Sequence, residues 1–95
     1  MNLTKALGHA RDRVHIVSQG RKQYVLHTWS PKHDATWVSH SMDLWGVRMA
    51  AKEAKIEEAL RLLGVEEYRE EANCLAQHEG RWDVLVRDYL AGRRA

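Results

Sequence analysis

The chain contains one cysteine, one proline, no phenylalanine and no apolar run longer than a few residues. A lone thiol, Cys74, cannot close an intrachain disulfide, which fits a reducing compartment. No stretch approaches the roughly 18 apolar residues that cross a bilayer. Met1 to Arg13 lacks the apolar segment of a secretory signal, so the expected location is the cytoplasm, with no membrane partner. The six glycines (Gly8, Gly20, Gly46, Gly64, Gly80, Gly92) nowhere take the spacing of a phosphate-binding loop or a dinucleotide fingerprint, and there is no His-Glu-x-x-His. These absences remove the common nucleotide-dependent and zinc-hydrolase readings, and no cofactor is expected.

What is present is ordinary globular material. The 95 residues are 44% hydrophobic and 29% charged, too apolar for a disordered chain and enough for one domain spanning 1–95. The formal charge of +2 hides an asymmetry. Residues 1–52 carry eight Lys or Arg against three acids, and residues 53–95 seven against ten, giving +5 and −3. A division of this kind can mark a polyanion-facing surface, or basic and acidic faces that meet between subunits.

The apolar period changes near residue 42, which divides the domain into a sheet half (12–41) and a helical half (43–92). Asn2 to His9 reads as a short helix with Thr4 as its cap. Arg13 to Ser18, Tyr24 to Trp29 and Thr36 to His40 read as three strands, joined by a basic turn at Gly20, Arg21 and Lys22 and a second turn from Pro31 to Asp34. A long helix starts at Ser41 or Asp43. Its stripe of Leu44, Val47, Ala51, Ala54, Ile56, Ala59, Leu60 and Leu63 ends at Gly64, with Val65 folding back. Glu66 to Gln77 reads as a second helix, and the stripe Trp82, Leu85, Val86, Tyr89, Leu90 as a third, with a frayed tail from Gly92. The expected fold is thus α+β: a short N-terminal helix, a three-stranded antiparallel meander and three helices.

Alternation along the strands gives two faces. Val14, Ile16, Leu26, Tyr24 and Val38 are assigned to the core face, and His15, Val17, Val25, His27, Trp29, Trp37 and Ser39 to the other. The second face is too apolar to be left in water, so it is covered either by the Trp82 helix in a third layer or by a partner.

No catalytic set emerges, and the chain is not expected to be an enzyme. His27, His33, Asp34 and His40 cluster around one turn without the spacing of a standard metal motif, so no metal is expected; Cys74 reads as inert packing. Neighbouring glutamates on a helix point apart and cannot form a dyad. Recognition remains. The leading expectation is a small inhibitor or adaptor, of the type encoded by phages, plasmids and other mobile elements, docking on a protein or on a second copy of itself. Trp29, Trp37, Trp45 and His27 would supply the contacts. The alternative is DNA or RNA binding, with Arg13, Arg21, Lys22 and Lys32 on phosphates and Trp29 and Trp37 stacking on bases. The element order resembles that of double-stranded RNA-binding domains, and the sheet ahead of a helix that of some recombinase arm-binding domains, which implies a nucleic-acid surface. Met42, Asp43, Leu44 and Trp45 depart from the lysine-rich opening that the RNA-binding domains place on their second helix.

Overall fold

A computed structural model describes residues 1–20, 23–30, 35–41 and 43–94. Helix α1 (Leu3–Arg13) is capped by Asn2, not Thr4: its Oδ1 accepts from the Lys5 amide at 2.8 Å. The helix runs four residues beyond its expected end, because Ala6, Leu7 and Ala10 form a buried stripe and Arg13 has a partner on another helix. Strands β1 (Val14–Gly20), β2 (Gln23–Ser30) and β3 (Ala35–Ser41) follow, paired antiparallel in the order β1-β2-β3. The ladder between β1 and β2 shifts register between Ser18 and Gly20, where Gly20 takes a positive φ of 133°.

Helix α2 (Leu44–Leu62) begins at Asp43, whose Oδ1 accepts from the Trp45 amide at 3.0 Å. It stops at Gly64 (φ 83°), where the Val65 amide donates to the Leu60 carbonyl and the Gly64 amide to that of Arg61. This is a Schellman closure, and the buried Val65 packs in the same cluster as Leu60. Helix α3 (Tyr68–Ala76) starts two residues later than expected, and α4 (Trp82–Arg94) continues through the segment expected to fray.

The expectation of an α+β fold built around the meander needs correction. The molecule is organised on its four helices, which hold more than half of the chain. The larger core cluster is entirely helical and inter-helical: Leu7, Ala10, Ile56, Ala59, Leu60, Val65, Ala72, Ala76 and Val86, flanked by Trp82, Leu85 and Tyr89. Among the described residues a small second cluster, Val14 and Leu26 against Ala51, ties the strands to this body. The physical reason lies in α2. Its buried Ile56 and Leu60 fall in the C-terminal half, where α1, α3 and α4 converge, Val47 is buried nearer its start, and the alanines near its middle meet the strands.

One polar contact locks the layers together. Glu58 on α2 accepts from Arg13 at the end of α1 (2.8 Å) and from Arg61 one turn on, with Arg13 and Glu58 both largely buried. Glu58→Gln leaves two guanidinium groups facing a neutral amide and is expected to lower the unfolding free energy by about 2 kcal/mol. Urea unfolding at neutral pH measures this, with the exposed Glu66→Gln as the control that stays near wild type.

Candidate docking face

The register decides what each side of the sheet carries. Val14 pairs with Thr28 and Thr28 with Trp37; Ile16 pairs with Leu26 and Leu26 with Ser39. This series contains the buried Val14 and Leu26 and therefore faces α2. The alternate series runs His15–His27–Val38 and Val17–Val25–His40, with Trp29 opposite Thr36. Its described members in β1, His15 and Val17, are exposed, Val17 by 38%.

The helices packed against the strands are α1 and α2, whereas α3 and α4 pack on α2. Trp82 belongs to the helical core, with the Lys55 ammonium 5.9 Å from its ring centre. The third layer that could have covered the outward series is therefore not supplied by the Trp82 helix. Ile16 on the inward series is also 38% exposed, so the sheet outruns the helices beneath it.

Of the residues expected to bind partners, His27 and Trp29 fall in the outward series, and Trp37 and Trp45 do not. Trp37 has the register of Val14 and Trp29 the alternate one, so the two tryptophans do not share a face; Val38, assigned to the core face, joins the outward series instead. Both errors come from one residue of offset in β3, which reverses every side of a strand. Trp45 stands in the first turn of α2 and is 70% exposed, although that helix packs on the inward face. Arg13 is removed from the phosphate set by its ion pair with Glu58. Arg21, Lys22 and Lys32 lie outside the described residues, as do the side chains of His27, Trp29 and Trp37.

Two features were missed by sequence reasoning. His15 presents Nε2 to the backbone carbonyl of Asp12 at 2.5 Å. The other is a polar seam between α2 and α3, in which Asn73 donates to Glu53 and Gln77 to Asn73, while Lys52 donates to the His78 carbonyl past the end of α3. In this seam burial raises the Glu57 carboxyl above its usual value, opposed by Arg69 at 3.6 Å and assisted by Glu53 and Glu58. The hydrogen bond from Arg61 to Glu58 raises the Arg61 guanidinium. Cys74 is exposed rather than packed.

Among the described residues no three His, Cys, Asp or Glu side chains form a metal-binding group, and no helix is long and apolar enough to cross a membrane. No protein-family model, curated protein or solved structure matches the chain.

A carboxyl raised by folding takes up its proton more readily in the native state, so its charge opposes folding at neutral pH and ceases to do so below the unfolded value. Glu57→Gln is accordingly expected to melt slightly above wild type at pH 7, with the difference closing as the pH falls through the ordinary carboxylate range. Thermal melts at several pH values read this directly; a destabilised variant at pH 7 contradicts the assignment.

Proposed function

We propose that this chain is a non-catalytic binding module, a small inhibitor or adaptor of the mobile-element type, that docks on another protein through the outward series of its sheet. One observation carries the reading: among the described residues α3 and α4 pack on α2 and not on the strands, and Val17 of the outward series stands exposed. An apolar face left in water is a cost that a partner removes. The exposed Trp45 offers a second anchor of the residue type that dominates interface energetics. It sits on the helix behind the sheet, so a partner touching both reaches round a sheet edge. The proposed location is the cytoplasm, where the free, exposed Cys74 stays reduced.

The nucleic-acid alternative loses one of its four cations to Glu58. It is tested by titrating the intrinsic tryptophan fluorescence with duplex DNA, single-stranded DNA and duplex RNA at low and moderate salt. The protein-docking reading expects no change. Quenching that falls steeply with salt, and weakens in the Arg21→Ala, Lys22→Ala double variant, overturns it. The positive arm uses the chain as bait: a protein retained by wild type and lost from both Val17→Asp and Trp45→Ala, each folded by circular dichroism, supports the docking face. Retention unaffected by either change counts against it.

A further inference from the structure

The strand order puts β1 at an edge of the sheet, paired with β2 on one side and, among the described residues, with no strand on the other. We propose that this edge pairs antiparallel with the β1 edge of a second copy of the chain, about a two-fold axis at Ile16, joining the two sheets into one.

Exposure on both faces of β1 points to its edge. Ile16 belongs to the inward series and Val17 to the outward one, yet each is 38% exposed, and His15 and Ser18 beside them are exposed as well. A partner lying on the outward face covers Val17 and leaves Ile16 in water. A strand added at the edge reaches both, because its own side chains alternate between the two faces.

The composition of β1 selects a second copy as the occupant. Proteins blunt a sheet edge with charges, proline or a bulge that twists it away. The strand Val14–Gly20 (Val-His-Ile-Val-Ser-Gln-Gly) contains no Asp, Glu, Lys, Arg or Pro. Its irregularity lies past Ser18, so residues 14–18 pair with β2 in unbroken register and stay regular at the outer edge. A strand of this kind is complementary to itself, since a two-fold axis brings no like charges together. With the axis at Ile16, that residue meets its own copy, His15 meets Val17 and Val14 meets Ser18. Each exposed aliphatic thereby gains a neighbour on its own face. The paired stretch is short, so the dimer is weak and depends on concentration. The inference does not rest on the docking reading, because the outward face can hold another protein whether or not the edge is paired.

Sedimentation equilibrium of the full chain from about 1 μM to about 1 mM is the test. The mass should rise from 11.0 kDa towards twice that value. Ile16→Lys and Ile16→Glu, each verified as folded, set like charges opposite each other and should remain monomeric alone, whereas an equimolar mixture of the two should recover the dimer. Trp45→Ala should dimerise as wild type does, which separates this contact from the docking face. In the wild-type protein, amide exchange in residues 14–18 should slow as the concentration rises, while that of α3 stays constant. A monomer at every concentration, a dimer that persists in Ile16→Lys, a mixture that does not recover it, or β1 exchange indifferent to concentration overturns the proposal. A chain that captures another protein while remaining monomeric sinks this inference alone.

Discussion

Helix α2 serves two cores with one helix, and the sizes of its side chains decide how. Around its middle stand Ala50, Ala51 and Ala54, small enough for strands to approach; farther along stand Ile56, Ala59 and Leu60, all fully buried among the other helices. Dispersion and burial energy scale with the area removed from water, so the bulky end of α2 holds most of the apolar stabilisation. The alanine segment contributes mainly a close fit. A larger residue at Ala51 would push against Val14 and Leu26, the only two described strand residues in that cluster.

This partition explains the layering. The C-terminal half of α2 draws in α1, α3 and α4 together, so the apolar stripes of α3 and α4 are taken up by helix packing, while α1 also touches β1 and β2. Glu58 stands in the same region and ties the end of α1 to α2 through Arg13. A carboxylate between two guanidinium groups is favourable here because each charge that loses water gains a charged hydrogen-bond partner. The junction between helix and strand at residues 13 and 14 is thereby fixed on both sides, by Arg13 in an ion pair and by Val14 in a core.

Much of the helical part was legible because its signals are local. Gly64 with Val65 announces a Schellman closure within six residues, and the stripe from Trp82 to Leu90 needs only the helical period. The faces of the sheet were harder. Which residue of β3 meets Thr28 depends on how the segment from 31 to 34 spends its length, and a slip of one residue exchanges Trp37 with Val38. The fate of Arg13 was illegible for another reason, since its partner lies 45 residues away and nothing near Arg13 distinguishes a structural guanidinium from a phosphate-binding one. The same holds for the weight of the fold. The helical segments already outweighed the strands in sequence, but which of them own the core follows from three-dimensional convergence on α2.

The register that separates the tryptophans also brings two histidines opposite each other, and both outcomes follow from a single two-residue period. A surface read from sequence as an aromatic and basic platform is in register terms a strip of imidazole and valine, with Trp29 near one end. Its chemistry is correspondingly different. Valines supply a dehydrating contact without direction, and imidazoles supply polar ring nitrogens that need hydrogen-bond partners. A partner that desolvated this strip would have to provide acceptors for any imidazole N–H it covered, because a buried polar group without a bond costs about 1–3 kcal/mol. His15 meets that demand at one nitrogen through the Asp12 carbonyl. That leaves Nδ1 as the ring atom a covering partner would have to satisfy.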